Sequence, residues 1–263
     1  MDRCIACRQH VFSGFAKAGV MIAITPEAVQ RPVASSIMAF ILALAHRLPQ
    51  KDRMTRAGRW KERNNVFGIG LRGKTLGVIG VGNIGSEVFR LARPWGMKHL
   101  GCEPNAPAGG FPDLNLNLTD LDTLLKAADF VCLCCPMNDR THRMIGEREL
   151  GLMKPSAYLI NTARGGIVDE AVLIKALSEN KIAGAALDVF ENEPPRPDNP
   201  LFKLDNVILS SHNIFLSDEG NRLGNQSVAR AALALARGEI PEHVVNPEVL
   251  DHPRLKKIGL SSV

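Results

Sequence analysis

The chain has 263 residues, of which 45% are hydrophobic, 22% are charged and 5% are aromatic. This length and composition are ordinary for a soluble globular protein with one large domain or two small ones. The formal net charge of +5 suits an anionic small molecule as well as it suits nucleic acid. Basic residues do not interleave with aromatic ones, which disfavours a groove for single-stranded nucleic acid, and we predict no nucleic-acid partner.

Cysteine usage favours a reducing compartment, and we therefore expect a cytoplasmic protein. Cys4 and Cys7 form a single CxxC without a second pair, which we interpret as incidental. The other four lie in or beside apolar runs, where a free cysteine behaves as a small hydrophobic residue: Cys102, Cys132, Cys134 and Cys135.

The most apolar run, residues 33–45, is shorter than the roughly 20 residues that span a bilayer. We expect no signal peptide and no membrane partner, and we interpret the run as part of a buried or interface helix.

Residues 32–56 are amphipathic and predict one long helix, interrupted or kinked at Pro49. From residue 75 to residue 210, short β-rich runs alternate with helical patterns. The β-rich runs are 75–80, 98–102, 130–134, 157–161, 184–189 and 206–210, and the helical patterns are 84–93, 118–129 and 169–180.

Three residues mark helix ends. Pro94 should end the first crossover helix, and Asp169 is a suitable N-cap. A last helix is predicted over 217–237, with Gly238 just past its end. Strands that alternate with helices predict an α/β fold with a doubly wound parallel sheet, whose apolar strands are covered by helices on both faces.

The strongest single motif is Gly80-Val81-Gly82-Asn83-Ile84-Gly85, which follows a β-rich run and opens a helix. Gly80 permits a tight turn, Gly82 lets the backbone approach a pyrophosphate, and Gly85 lets the helix pack against the strand. The phosphates would lie at the helix N-terminus, where the helix dipole favours negative charge.

Glu103 ends the next β-rich run, 18 residues after Gly85, and its carboxylate can accept hydrogen bonds from ribose hydroxyls. It would repel a 2′-phosphate, so the motif predicts a Rossmann-type domain that binds NAD rather than NADP. The alternative, a glycine-rich turn without a ligand, is disfavoured by the strand, helix and acidic residue around it.

Arg164, Glu193 and His212 each follow a predicted parallel strand, so they can converge at the carboxyl edge of the sheet, where ligands of open α/β sheets bind. Arg164 can hold a substrate carboxylate and polarise a carbonyl, and His212 can supply a proton. Glu193 can bond the second ring nitrogen, and Asp188 is placed to meet the nicotinamide. Each residue alone is more often structural, but their shared position favours a catalytic site.

Four segments resemble the D-isomer-specific 2-hydroxyacid dehydrogenases: GKTLGVIGVGNIG, LLKAADFVCLCCPMNDRTHRMI, LMKPSAYLINTARGGIVDEAVLIKALSENKIAGAALDVFENEP and PLFKLDNVILSSH. The resemblance runs from about residue 20 to residue 246. It implies hydride transfer between NAD(H) and a small 2-hydroxy or 2-keto acid, with Arg164, Glu193 and His212 as catalytic residues. It also implies a homodimer with the helix over 32–56 in its interface. The implied cofactor contacts are Asn83, Ile84, Glu103, Cys134, Pro136, Thr162, Ala163, Arg164, Asp188 and His212.

The chain departs from the family pattern in three places. His212-Asn213-Ile214-Phe215 stands where the family usually has His-Ile-Gly-Gly, which changes how closely the backbone can approach the nicotinamide and substrate. Asn83 stands where arginine is frequent. The family's N-terminal substrate domain would be represented only by a remnant.

The resemblance therefore implies four regions, and it leaves two functions open. Residues 1–31 would be the remnant of a flavodoxin-like substrate domain, 32–58 the interdomain and dimer helix, 59–216 the NAD-binding domain, and 217–263 a C-terminal helix and tail. The first function is a dehydrogenase of small 2-hydroxy acids whose substrate the sequence does not select. The second is a dimeric NAD-binding module with weak turnover or none, because a one-walled cleft would admit water and lose positioning contacts.

Overall fold

The structure, a computed structural model, describes residues 13–256. The Cys4–Cys7 motif lies outside the described residues, as do residues 257–263 of the predicted C-terminal tail. The described chain forms two compact units, one of residues 33–214 and one of residues 13–32 together with residues 215–256.

The larger unit is built on a parallel sheet of seven strands in the order β3-β2-β1-β4-β5-β6-β7. The predicted doubly wound α/β fold is therefore confirmed. The strands are β1 (Thr75–Ile79), β2 (Lys98–Cys102), β3 (Asn117–Leu118), β4 (Phe130–Leu133), β5 (Tyr158–Asn161), β6 (Gly184–Leu187) and β7 (Val207–Leu209).

Eight α-helices with defined bounds lie in the described part of the chain, besides a short helical segment at residues 13–17. They are α1 (Glu27–Ala45), α2 (Leu48–Arg56), α3 (Asn83–Ala92), α4 (Leu121–Ala127), α5 (Glu147–Leu152), α6 (Glu170–Ser178), α7 (Asp218–Ala236) and α8 (Pro253–Lys256).

Helices cover both faces of the sheet, so β4, β5 and β6 are buried along their whole length. One close contact is made possible by Gly77 in β1, where an added Cβ would lie 2.6 Å from Leu124 of α4. The absence of a side chain there brings α4 close to the strand. The core around this contact contains fully buried residues from strands, helices and turns, among them Leu125, Leu159 and Ile167.

The region predicted as one helix over 32–56 forms two helices, α1 and α2, and it begins five residues earlier. The chain breaks at Arg47, whose φ of 52° is left-handed, and not at Pro49. Pro49 lies in the first turn of α2, where a proline is tolerated because its missing N–H has no partner within the helix.

By length and composition alone, α1 is apolar enough to cross a membrane, a test that core helices of soluble proteins also pass. Its Ala34, Ile37 and Ile41 are completely buried in the structure. The absence of a membrane partner stays a prediction.

The predicted helix ends are confirmed. Asp169 accepts a hydrogen bond from the backbone N–H of Val172 at 3.2 Å, and Pro94 lies in a 3₁₀ turn directly after α3. In the smaller unit, Ser217 caps α7, and Gly238 follows the helix with a φ of 76°.

The smaller unit is held by pairing between distant parts of the chain. Ala23 and Val244 form an antiparallel bridge. Beside it, the buried Asn246 accepts a hydrogen bond from the N–H of Ile22 at 2.9 Å and donates one to the carbonyl of Val20 at 3.0 Å. These bonds satisfy backbone groups that no helix or extended sheet pairs.

The cysteines of the larger unit are free thiols. Burial raises the pKa of Cys135 to about 11 and raises the pKa of Cys132 well above its usual value. Both therefore stay protonated and pack as small hydrophobic residues, as predicted.

His99 in β2 is a buried histidine that lacks a full set of partners. It is 7% exposed, its Nδ1 lies 3.3 Å from the carbonyl oxygen of Leu114, and its ring packs against Phe89. Among residues 13–256, its Nε2 has no hydrogen-bond partner. Burial, and to a smaller extent the charge of Arg93, lower the pKa of His99, so the folded chain resists its protonation.

We expect the free energy of unfolding to fall as the pH is lowered below about 6.5, because the unfolded chain then binds a proton at residue 99 that the folded chain resists. Above that pH neither the folded nor the unfolded chain carries the proton, so His99 makes no contribution to the pH dependence of the free energy of unfolding. One proton contributes at most about 1.4 kcal/mol per pH unit. Urea unfolding at several pH values should show this slope in the wild type and its reduction in His99→Phe. Substitution of the exposed His46 by Asn should leave it intact, and an unchanged slope in His99→Phe would contradict the assignment.

Candidate functional site

The carboxyl ends of five neighbouring strands are aligned across the sheet. The last residues of β1, β4, β5, β6 and β7 pair in one row, formed by Ile79, Leu133, Asn161, Leu187 and Leu209. The residues that follow this row therefore lie along one edge. The strand order reverses between β1 and β4, which is where ligands bind in open α/β sheets.

The glycine loop after β1 has the geometry that its sequence predicted. Gly80 has a φ of 94°, and an added Cβ would lie 2.5 Å from the backbone nitrogen of Cys135. An added Cβ at Gly85 would collide with the carbonyl oxygen of Gly80. At Gly82, by contrast, the space around an added Cβ is open. The loop is thus tight where it meets the protein and open where a ligand would approach.

The N-terminus of α3 is suited to bind phosphate. Gly82 is the N-cap and offers no side chain to the first turn, and Asn83 next to it is exposed. The first N–H groups of a helix, here including those of Asn83 and Ile84, have no partners within the helix. Open space and unpaired donors at the positive end of a helix dipole fit the pyrophosphate of a dinucleotide.

Glu103 follows β2 and is bonded to the glycine loop. One carboxylate oxygen accepts from the N–H of Val81 at 3.0 Å, and the other accepts from the N–H of Asn105 at 3.1 Å. The side chain is only partly buried, so its remaining acceptor capacity faces outward. This arrangement fits the ribose of NAD, and it places a negative charge beside the loop.

Four more predicted cofactor residues follow β4, which is next to the reversal point, and its neighbour β5, and so lie at the same edge: Cys134, Pro136, Thr162 and Ala163. Asn161, which the sequence analysis overlooked, shapes the turn that carries two of them. It is 1% exposed, accepts from the N–H of Ala163 at 3.1 Å and donates to the carbonyl of Arg164 at 3.0 Å. An asparagine at a strand end, bonding the backbone two residues on, is the signal that was available.

Arg164 is half-buried and extended, and its Nη1 donates to the carbonyl of Ala163 at 2.6 Å. In the described part of the chain it has no hydrogen bond to Glu193 or His212. The structure therefore places the guanidinium at the predicted edge of the sheet. Among the described residues, most of its N–H donors have no hydrogen-bond partner.

Glu193 and His212 are brought into direct contact. The Oε2 atom of Glu193 lies 2.7 Å from Nδ1 of His212, and its Oε1 accepts from the N–H of Phe190 at 3.1 Å. The side chains of His212 and Glu193 are 39% and 22% exposed. Because Nδ1 is engaged by the carboxylate, Nε2 is the ring nitrogen available to a ligand.

Asp188 anchors the turn that presents His212. Its side chain is almost completely buried, and Oδ1 accepts from the hydroxyl of Ser210 at 2.6 Å and from the N–H of Asn213 at 3.1 Å. Its backbone carbonyl accepts from the N–H of His212 at 2.8 Å. Ser210 was not predicted as a site residue. Ile214 and Phe215 stand where the expected pattern has two glycines, and the carbonyl of Ile214 accepts from the hydroxyl of Ser36 of α1 at 3.0 Å.

A cavity of about 510 Å³ opens beside the Glu193–His212 pair. Its lining is largely apolar and comes from the loop after β6 and the end of β7, with Phe190, Phe202 and Leu209 as its largest apolar side chains. One side of the imidazole therefore borders an apolar space of a size that small ligands occupy.

A family model described as D-isomer specific 2-hydroxyacid dehydrogenase, NAD binding domain, matches residues 38–213. A glyoxylate reductase of Thermococcus litoralis is 41% identical over 240 residues, which are 89% of this chain and 72% of that protein. A D-3-phosphoglycerate dehydrogenase of Methanocaldococcus jannaschii is 40% identical over 91% of this chain and 46% of its own length.

Solved structures agree with these relatives. The D-lactate dehydrogenase of Aquifex aeolicus, complexed with NAD and lactic acid, superimposes with a TM-score of 0.79 at 30% identity, over 89% of this chain and 75% of that one. An NAD-complexed D-isomer specific 2-hydroxyacid dehydrogenase of Lactobacillus delbrueckii has the same TM-score at 32% identity, over the same shares of the two chains. This chain therefore belongs to the D-isomer specific 2-hydroxyacid dehydrogenase family of NAD-dependent oxidoreductases.

Proposed function

We propose that this chain reduces glyoxylate, or a 2-keto acid of similar size, to the corresponding 2-hydroxy acid with NADH. The observation that carries the proposal is the 2.7 Å contact between Glu193 and His212 at the sheet edge that also bears the glycine loop. The glyoxylate reductases among the relatives support the choice of a small substrate. Hydroxypyruvate and pyruvate are the competing substrates.

The cofactor would be held by the glycine loop, the start of α3, Glu103 and the turns after β4 and β5. NADH supplies the hydride for the carbonyl carbon when it is bound. Glu103 would hold the ribose and repel a 2′-phosphate, and Asp188 would lie toward the nicotinamide.

The protein's own groups would handle the carboxylate and the proton. Arg164 presents a planar, permanently charged fork that can hold the substrate carboxylate in two hydrogen bonds. His212 would donate the proton from Nε2 to the carbonyl oxygen. Glu193 orients the ring through Nδ1 and stabilises the imidazolium from which that proton leaves.

The alternative is a module that binds NADH without turnover. The observation that favours it is the sequence after His212, where Ile214 and Phe215 stand in place of the family's two glycines and Ile214 is bonded to Ser36. A side chain at these positions limits how closely the backbone can approach a substrate.

We further propose a homodimer in the cytoplasm. Residues 55–65 are exposed throughout, and Trp60 and Phe67 are 64% and 76% exposed. Exposed apolar side chains that cluster in one segment support an interaction surface there. The segment overlaps the end of the predicted dimer helix and continues beyond it, which supports a shared interface. The free thiols of the larger unit support a reducing compartment.

Arg164→Gln and His212→Asn should separate the two functions. We expect NADH oxidation with glyoxylate in the wild type. His212→Asn should lower kcat by about 10²- to 10⁴-fold, because the proton donor is lost. Arg164→Gln should raise KM for glyoxylate by about 10- to 100-fold, because charge-assisted hydrogen bonds to the carboxylate are lost.

Both variants should still bind NADH in a fluorescence titration. Arg72→Gln and His46→Asn, at exposed positions, serve as matched controls and should retain wild-type rates. Saturable NADH binding without oxidation of NADH by any of the three keto acids would favour the binding module. Full activity in His212→Asn would refute the assigned proton donor.

Glu103→Gln should shift cofactor preference toward NADPH. The substitution removes the charge that repels a 2′-phosphate, and we expect the ratio of the two dissociation constants to narrow by about tenfold, which corresponds to about 1.4 kcal/mol. Calorimetric titration of NADH and NADPH measures both constants. Asp113→Asn removes an exposed carboxylate elsewhere in the same unit and should leave the ratio unchanged. An unchanged ratio in Glu103→Gln would contradict the role of its charge.

The double substitution Trp60→Ser, Phe67→Ser should give a monomer. Light scattering after size-exclusion chromatography should report twice the chain mass of 28.6 kDa for the wild type and the single mass for the variant. Trp95→Ser, at another exposed aromatic residue, should remain dimeric. A wild type that is monomeric at micromolar concentration would refute the proposed dimer.

A further inference from the structure

The loop that carries Glu193 is seated on the turn that follows Arg164. An added Cβ at Gly165 would fall on the backbone of Phe190 and Glu191, so the two backbones touch where no side chain fits. The turn after β5 and the loop after β6 therefore form one packed layer. Any group that controls this contact also controls where Glu193 lies relative to Arg164.

Glu170, the first residue of α6, ties this loop at two points. Its Oε2 accepts from the backbone N–H of Glu191 at 2.9 Å, and its Oε1 accepts from the side-chain amide of Asn199 at 2.8 Å. Asn199 is itself 8% exposed and accepts from the N–H of Leu201 at 3.0 Å. One carboxylate thus holds both ends of the loop that contains Glu193.

An ion pair also holds the loop that carries Glu193 in place. Arg143 donates from Nε to the carboxylate of Glu191 at 3.2 Å, and its Nη1 lies 3.7 Å from Asp169. The hydrogen bond to Glu191 raises the pKa of Arg143, which keeps the guanidinium charged. The arginine is half-exposed, so this contact is screened by solvent and is weaker than the bonds of Glu170.

The bonds made by Glu170 lead directly to the catalytic pair. Glu170 accepts from the backbone N–H of Glu191. The residue before it, Phe190, donates its backbone N–H to Oε1 of Glu193. The other oxygen of Glu193 contacts His212. We propose that Glu170 is a positioning residue, which sets the carboxylate of Glu193 for its contact with the imidazole of His212. This inference rests on the proposed function.

The chemistry of the side chain explains why a carboxylate stands at this position. Two donors, one a backbone N–H and one the side-chain amide of an asparagine, converge on the side chain of Glu170. Only a carboxylate accepts hydrogen bonds at both of its terminal atoms. Its place in the first turn of α6 also puts the carboxylate at the positive end of the helix dipole. In Glu170→Gln one of the two donors would face an NH₂ group, so the loop must shift.

The test compares Glu170→Gln with Glu149→Gln. Glu149 makes the same kind of bond at the start of α5, where its carboxylate accepts from the N–H of Gly146 at 3.1 Å and, in the described part of the chain, makes no hydrogen bond to the loop. Both variants should lose a similar amount of thermal stability. Only Glu170→Gln should lower kcat with glyoxylate, by about 10- to 100-fold, since a shift of about 1 Å in a catalytic group costs about that much.

The kinetic constants separate positioning from a merely structural effect. KM for glyoxylate and the dissociation constant of NADH should stay at wild-type values in Glu170→Gln, because the bonds of Glu170 go to the loop that carries Glu193 and not to Arg164 or the glycine loop. Equal losses of kcat in the two variants, or unchanged kcat in Glu170→Gln, would overturn the inference.

If Glu170→Gln does not fold, Asn199→Ala serves in its place. It removes one of the two hydrogen bonds of Glu170 and should lower kcat by a smaller factor. Unchanged kcat in Asn199→Ala would then overturn the inference.

Amide hydrogen exchange gives a readout that needs no activity. The peptide over residues 189–193 should exchange faster in Glu170→Gln than in the wild type, and at the wild-type rate in Glu149→Gln. If the wild type does not turn over glyoxylate, hydroxypyruvate or pyruvate, the proposed function fails, and this measurement still decides whether Glu170 holds the loop. Identical exchange rates of this peptide in the wild type and in Glu170→Gln would contradict the positioning role of Glu170.

Discussion

The parallel pairing of five strands in one register is the constraint on which the site depends. Because β1, β4, β5, β6 and β7 end in a single row, groups from residue 80 to residue 212 meet at one edge of the sheet. A slip of one residue in any strand would reverse which face its side chains point to and would move the turn that follows. The buried strands make such a slip costly, so the core of the sheet determines the geometry of the chemistry at its edge.

Backbone contacts that only glycine allows close the turns along this edge. Gly80 lies against Cys135, Gly85 lies against Gly80, and Gly165 lies against the loop that carries Glu193. In each case the missing Cβ is replaced by backbone of another turn. The dinucleotide loop and the catalytic turn therefore use the same device, although one of them faces a ligand and the other faces protein. A methyl group at Gly165 would push apart the segments that carry the guanidinium and the carboxylate.

The sequence predicted the sheet, the glycine loop and the Glu193–His212 pair because each rests on local signals or strand order. It did not reveal β3, since two residues carry too little pattern, or α5, which is only six residues long. It also overlooked Asn161, Ser210 and Glu170, of which Ser210 and Glu170 bond to segments that only the fold brings near. Asn161 was the most accessible of these, because its bonds are local. Glu170 contacts residues 21 and 29 positions away, and no spacing rule covers that.

His212 has a backbone conformation that needs an external support. Its φ of 55° is left-handed, which costs a residue with a side chain about 1–2 kcal/mol. The buried Asp188 supplies the support from both sides, since its carbonyl accepts from His212 and its carboxylate accepts from Asn213. Ser210 in turn satisfies the same carboxylate oxygen. Strain at a residue is kept only where neighbouring groups over-determine the conformation, and here they do so at the residue assigned the proton. The residue held in this left-handed conformation is therefore also the one that makes the 2.7 Å contact with Glu193.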